Sequence, residues 1–142
     1  MTVKNCVITG CLVGLTAYYS NNSVYLNNTC SNGTGDSRGF QIDHATGNTL
    51  TGNTANNNAN GFYFEQAGDN SMVNNTANGN SNDGFFMYAC GGNTFTGNTA
   101  TGNNGRFYSP PDFKCDRATT INGGGNVCSR EDCGLECGAP PS

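Results

Sequence analysis

The sequence predicts an all-β solenoid: a parallel β-helix of about five coils with a small disulfide-rich cap at its C-terminal end. Three observations predict it. A unit rich in Asn, Gly and Thr recurs every 21 to 26 residues, apolar residues alternate with polar ones in short runs inside each unit, and four of the eight cysteines crowd into the last stretch. In one half of the unit, Asn22-Ser23-Val24 aligns with Asn48-Thr49-Leu50, Asn70-Ser71-Met72 and Asn93-Thr94-Phe95. Each is followed by Asn28-Thr29-Cys30, Asn53-Thr54-Ala55, Asn75-Thr76-Ala77 or Asn98-Thr99-Ala100. The other half is Gly14-Leu15-Thr16-Ala17, Gly39-Phe40-Gln41-Ile42, Gly61-Phe62-Tyr63-Phe64 and Gly84-Phe85-Phe86-Met87, with a worn copy at Gly105-Arg106-Phe107-Tyr108.

The alternation is that of strands. Phe40 and Ile42 alternate with Gln41 and Asp43, and Phe62 and Phe64 alternate with Tyr63 and Glu65. Asn-Gly, Asn-Asn and Gly-Asp turns separate the runs, and nothing between them has helical length or period. A leucine-rich repeat would need a Leu framework, which is missing. Stacking coils ~4.8 Å apart turns equivalent positions into rows along the axis. Val24, Leu50, Met72 and Phe95 are expected to fill one wall, Leu15, Phe40, Phe62 and Phe85 another. Cys30, Ala55, Ala77 and Ala100 fall where the interior is narrowest. Asn53, Asn75 and Asn98 form a turn ladder whose amides bond from coil to coil and satisfy buried backbone groups. The glycines before each aromatic run are read as corners of positive φ.

Composition bounds the function. Only 11% of residues are charged, against about 25% in an average domain, so solubility rests on Asn, Thr, Ser and Gly. The strict placing of apolar residues argues against disorder. Six basic residues and a net charge of -4 argue against a nucleic-acid partner. No run approaches the roughly 18 apolar residues of a membrane span. Eight cysteines in 142 residues point to an oxidising, extracellular or cell-surface setting. Met1-Thr2-Val3-Lys4 leads straight into repeat sequence with no signal segment, which suggests a mature fragment or a truncated gene. Sequons at Asn21, Asn27, Asn32 and Asn74 are candidate N-glycan acceptors.

Two stretches, G-N-T-L-T-G-N-T-A-N-N-N-A-N-G-F-Y-F and N-S-M-V-N-N-T-A-N-G-N-S-N-D-G-F-F-M, closely resemble the right-handed parallel β-helix repeats of the pectate-lyase-like superfamily. The resemblance is to the Asn-rich subset found in bacterial secreted and surface proteins and covers roughly residues 3 to 109. It implies a right-handed coil and leaves activity open, because such coils occur in lyases, epimerases, tailspikes, adhesins and inert spacers.

The expected division is residues 1–109 as coils and 110–142 as a Cys/Gly/Pro-rich cap. Cys115, Cys128, Cys133 and Cys137 lack the paired C-x2-C spacing of a zinc knot and read as disulfides. Cys6 and Cys11 are close enough in sequence to pair, while Cys30 and Cys90 read as small inward residues.

Outward rows of the aromatic strand carry the candidate site. Tyr18, Tyr63, Phe86 and Tyr88 form a contact face for a glycan, a neighbouring subunit or a covering segment. The resemblance implies that an enzyme built this way would act on a polysaccharide laid along the sheet. Asp43 and Glu65, stacked on adjacent coils, are the carboxylates such a catalyst or a Ca2+ ion would use, with His44 as proton shuttle. A uronate lyase or epimerase also needs a basic residue there. Arg38, Lys4 and Arg106 are the only candidates, and none falls in a stacked outward row. The leading expectation is a non-catalytic extracellular structural module without cofactor, a building block of a fibre, sheath or appendage. It would associate end to end through its open first edge and bear or contact carbohydrate. A polysaccharide-binding, lyase or epimerase-like module is the alternative. An ice-binding face, from the hydroxyl row Ser23, Thr49, Ser71 and Thr94 with Thr51 and Thr96 beside it, is a remote one.

Overall fold

The computed structural model describes residues 1–104 and 112–141. The chain winds in flat coils, each built from short strands separated by tight corners. The first coil holds β1 (Thr2–Lys4), β2 (Val7–Thr9) and β3 (Val13–Tyr18), and the second β4 (Val24–Leu26), β5 (Thr29–Ser31) and β6 (Arg38–Asp43). The third has β7 (Thr49–Thr51), a single bridge at Thr54 and β8 (Asn60–Glu65). The fourth has β9 (Ser71–Val73), β10 (Thr76–Asn78) and β11 (Phe85–Tyr88), and the fifth β12 (Asn93–Thr96), β13 (Thr99–Thr101) and β14 (Phe113–Asp116). A sixth begins with β15 (Thr120–Asn122) and β16 (Val127–Cys128).

Every strand pairs in parallel with its counterpart one coil away, which makes three faces. One is the six-stranded sheet β1-β4-β7-β9-β12-β15. The broad face is the five-stranded sheet β3-β6-β8-β11-β14. The third face splits into β2-β5 and β10-β13-β16, joined through the bridges of Thr54 to Thr29 and Thr76.

The expected interior rows are present with one shift. Phe40, Phe62, Phe85 and Phe113 stack face to face with centroids 4.7 Å apart, so one ring per coil continues into the next. Cys30, Ala55, Ala77 and Ala100 are buried at the narrow position. The shift is in the second coil. Tyr25, not Val24, pairs with Leu50 and is fully buried, whereas Val24 is 36% exposed. Aligning Asn22 with Asn48 puts the strand one residue out of register, and a one-residue slip exchanges the two faces of a strand. The large tyrosine fills the wall, and its hydroxyl reaches Ser20 Oγ at 3.4 Å. The same shift takes Ser23 out of the outward hydroxyl row, which becomes Val24, Thr49, Ser71 and Thr94.

Three buried asparagine ladders, not one, hold the corners. They are Asn48-Asn70-Asn93, Asn28-Asn53-Asn75-Asn98-Asn126 and Asn58-Asn80-Asn103. Asn75 shows the pattern. Its Oδ1 accepts from the Asn53 backbone N–H at 2.9 Å and from Asn53 Nδ2 at 3.0 Å. Its own N–H and Nδ2 donate to Asn98 Oδ1, and Nδ2 also donates to the Leu50 carbonyl at 2.8 Å. One amide therefore satisfies a corner that no strand pairing reaches. The third ladder ends on buried Asp112, whose Oδ1 accepts from Asn103 and whose Oδ2 accepts from the N–H groups of Ser129 and Arg130.

The glycines before the aromatic runs do a different job from the one expected. Gly14, Gly39, Gly61 and Gly84 do not have positive φ. A Cβ at Gly61 would sit 2.6 Å from the Gly84 carbonyl and 2.9 Å from the Ala77 Cβ, so close approach between coils requires glycine there. Positive φ belongs to other corners. Asn22, Gly47, Asp69 and Gly92 form one left-handed column, and Asn27, Gly52, Asn74 and Gly97 another. In both, the side-chain oxygen of the Asn or Asp covers the bare glycine of the following coil.

The solenoid continues beyond residue 110. The segment Gly105-Arg106-Phe107-Tyr108 lies outside the described residues, and the strand in register with Phe85–Tyr88 is Phe113–Asp116. This repeat is longer: Phe62 pairs with Phe85, 23 residues on, but Phe85 pairs with Phe113, 28 residues on. The closing segment follows β16. Glu131 bridges to Phe113, Gly138 bridges to Val127, and Leu135 is buried beneath the turn. Disulfides Cys115–Cys133 and Cys128–Cys137 fasten it, with Cα separations of 5.3 and 5.5 Å.

Cys6 and Cys11 are unpaired, against expectation. They flank strand Val7–Thr9, and extended chain between them holds their Cα atoms beyond the roughly 7 Å that a bridge tolerates. Cys30 and Cys90 are buried free thiols, and burial pushes Cys30 up to about 12.

Two stability measurements test this account. Asn75→Leu strands the Asn53 donors and the Leu50 carbonyl, so urea unfolding is expected to show a loss of about 3 to 5 kcal/mol. Asn74→Gly, next door at an exposed left-handed corner, is expected to change stability by no more than about 0.5 kcal/mol. Reducing the disulfides, each worth about 2 to 4 kcal/mol, is expected to open the closing segment first. Limited proteolysis with trypsin then cuts at Arg130 before Arg38, and equal rates at both would show that cap and coils unfold together.

Candidate contact face

The outer side of the broad sheet collects nearly all the chemistry read from the sequence. Register puts Thr16, Gln41, Tyr63, Phe86 and Lys114 in one row, and Tyr18, Asp43, Glu65, Tyr88 and Asp116 in the next. Side chains must point outward here because their neighbours Phe40, Ile42, Phe62, Phe64, Phe85 and Met87 point inward and are fully buried.

Most of these groups are engaged with one another. The Arg38 guanidinium lies over the Tyr63 ring, 3.8 Å from its centroid, and Tyr63 stacks on Phe86 at 5.2 Å. Arg38 therefore does stand on the outward stack, contrary to the sequence reading. The alternation suggested nothing of this because its long side chain reaches across from the start of the strand to the next coil. Lys4 lies on the six-stranded sheet, and Arg106 is outside the described residues. The Tyr63 hydroxyl donates to Glu65 Oε2 at 3.4 Å. Burial, then the charge of Glu65, raises the Tyr63 hydroxyl above its ordinary value. Arg117 lies 5.8 Å from the Tyr88 ring centroid and donates to its hydroxyl at 3.4 Å.

Asp43 and Glu65 do sit side by side on adjacent coils. They turn to different partners: Asp43 Oδ1 is 2.5 Å from His44 Nδ1, while Glu65 takes the Tyr63 hydroxyl. Neither forms an ion pair with Arg or Lys among the described residues. His44 follows at a left-handed corner (φ 48°), the position that Tyr19 holds one coil earlier (φ 47°). Tyr19 tilts over the imidazole at 4.9 Å and meets Tyr18 edge-on at 4.5 Å. Tyr19 falls outside the alternating rows, and only the corner geometry brings it to the group.

Among the described residues, the one trio of His, Cys, Asp and Glu groups close enough to share a metal ion is Cys115, Asp132 and Cys133. Its two sulfurs are joined in a disulfide, and Asp132 is held by Lys114 at 2.6 Å and by the Cys115 N–H, so it is a structural knot. The Asp43/Glu65 pair offers two carboxylates and no third ligand of this kind. The sequon asparagines Asn21, Asn27, Asn32 and Asn74 are all exposed, and Asn32 has its hydroxyl residue, Thr34, exposed as well.

Asp83, at the edge of this face, is an acid out of place. Its Oδ1 is buried without a partner among the described residues, and burial raises the carboxyl to about 6, with Lys114 opposing. The folded pKa exceeds the unfolded value of 3.8, so the folded chain binds more protons between the two. Stability then falls as pH rises from about 4 to about 6. Asp83→Asn removes that loss. Urea midpoints are expected to coincide for variant and wild type near pH 3.5 and to favour the variant by about 1 kcal/mol at pH 8, after discounting for solvent screening.

No helix of the described chain is long and apolar enough to cross a membrane. A search of curated proteins and of solved structures finds no match. A family model described as the right-handed beta helix region matches residues 1–131, which takes in every coil and reaches into the closing segment. Together with the parallel ladders and the stacked interior rows, this match shows that the chain belongs to the right-handed β-helix family.

Proposed function

We propose that the protein is a non-catalytic extracellular structural module whose broad sheet contacts carbohydrate. The observation that carries this reading is the mutual engagement of the outward groups: Arg38 on Tyr63, Tyr63 on Phe86 and Glu65, Arg117 on Tyr88, His44 on Asp43. A catalyst aims its acid, base and charge stabiliser at one reacting atom. Here Arg38, Glu65 and Arg117 are spent on neighbouring tyrosines and Asp43 and His44 hold each other through one atom apiece, which gives a rigid surface with hydrogen-bonding rims. The exposed sequons and the cysteine usage support an oxidising, glycosylating environment.

The presence of Arg38 on the face keeps a lyase or epimerase-like reading testable. Immobilised polysaccharides, neutral and uronate-containing, are incubated with the native chain while unsaturated-uronate absorbance is followed. Retention on one or more polysaccharides with no rise in absorbance is expected. A rise in absorbance would establish catalysis, and retention on none would remove the carbohydrate role.

A further inference from the structure

We infer that Tyr18, Tyr19, Asp43 and His44 form a subsite for one uncharged, hydroxyl-rich pyranose ring. The inference rests on the carbohydrate-contact reading above and names the place and the sugar class.

Ring availability locates the place. Sugars stack through the C–H groups of a pyranose on an open aromatic face. Tyr63 is covered by Arg38 on one face and by Phe86 on the other, and Tyr88 has Arg117 beside it. Tyr18 and Tyr19 are 59% and 62% exposed, and their planes lie 74° apart, so they form an open corner instead of a closed stack. The corner is set by backbone geometry. Tyr19 and His44 occupy successive left-handed positions of one column, which a tyrosine adopts rarely and only where surrounding structure imposes it. Backbone bonds from Tyr19 N–H to the Asp43 carbonyl and from His44 N–H to the Glu65 carbonyl, both 3.0 Å, impose it here.

Hydrogen-bonding capacity gives the class. Asp43 and His44 use Oδ1 and Nδ1 on each other, which leaves Asp43 Oδ2 and His44 Nε2. With the proton on Nδ1, both remaining atoms are acceptors. Two acceptors at the far ends of this bonded pair, beside an open ring, suit two separated hydroxyl donors on one sugar. A uronate would set its carboxylate against Asp43, and the nearest guanidinium identified on this face, that of Arg38, is committed to Tyr63. The subsite therefore selects against the acidic sugars and for neutral ones.

The test titrates the intact, 15N-labelled chain with neutral glucose and mannose hexasaccharides and with a galacturonate hexasaccharide. Amide shifts are expected to centre on residues 17–20 and 43–45 with a neutral ligand, and the galacturonate is expected to bind at least tenfold more weakly. Tyr18→Ala and Asp43→Asn each weaken binding at least tenfold. Gln66→Ala, at the same corner one coil on, stays within twofold, and retained strand circular dichroism checks the fold of every variant. Shifts centred on Phe86 and Tyr88, or unchanged affinity in Tyr18→Ala, would overturn the subsite and leave the carbohydrate reading standing. Tighter binding of the galacturonate would overturn the sugar class. No binding of any hexasaccharide, combined with no retention on polysaccharide, would overturn both.

Discussion

The whole structure depends on how a buried corner finds hydrogen-bond partners. Strands satisfy their own backbone by pairing with the coils before and after, but a corner turns its N–H and C=O groups away from that ladder. A buried polar group without a partner costs about 1 to 3 kcal/mol, and there are three corners in every coil. Asparagine answers the need because its side chain is one donor group and one acceptor, the same pair a peptide carries. Asn28, Asn53, Asn75, Asn98 and Asn126 form a side-chain strand running along the axis. Its repeat has to equal the spacing of the paired strands, so the ladder and the sheets lock one another into register. Once that is set, the phenylalanines have no choice but to stack at 4.7 Å.

The scarcity of charge follows from the same design. A coil with its interior committed to rings and amides has few places for ionised groups; apart from buried Asp112, which caps an amide ladder, most of them lie outside. On the broad face the few cations sit over aromatic rings or against carboxylates, where desolvation is partial and each charge keeps a partner. Asp83 is the exception, and its raised titration is the physical mark of a carboxyl that burial has left short of partners.

Much of this was legible in the sequence, and the misses have particular causes. The period, the alternation of Phe40 with Gln41 and the inward Ala row survive unchanged, because a period of two and a fixed repeat report directly on burial. Tyr25 was missed because Asn22 mimics the ladder residue of the next coil, while Ser23 actually takes that place. The strand Phe113–Asp116 was missed because its repeat is five residues longer and starts with prolines, which erases the Gly-Phe signature. On the face, rows placed Asp43 beside Glu65 correctly, but alternation says nothing of what a side chain touches. Arg38 reaching Tyr63 and Tyr19 reaching His44 depend on side-chain length and on left-handed corners, and neither leaves a periodic trace.

The left-handed columns carry a consequence for how such a chain changes length over evolutionary time. In two of them a residue with a side-chain oxygen covers a bare glycine one coil on: Asn22 over Gly47, Asp69 over Gly92, Asn27 over Gly52, Asn74 over Gly97. Through the middle coils the two columns alternate side chain with glycine, but Asn5 stands one coil before Asn27 and Gly125 one coil after Gly97, so like also follows like. A third left-handed column, Asn32, Asn57, Gly79 and Gly102, likewise sets side chain on side chain and glycine on glycine. These corners therefore accept either kind of neighbour, and a single coil can be duplicated or lost without leaving a seam. The natural quantum of growth for this solenoid is the single coil.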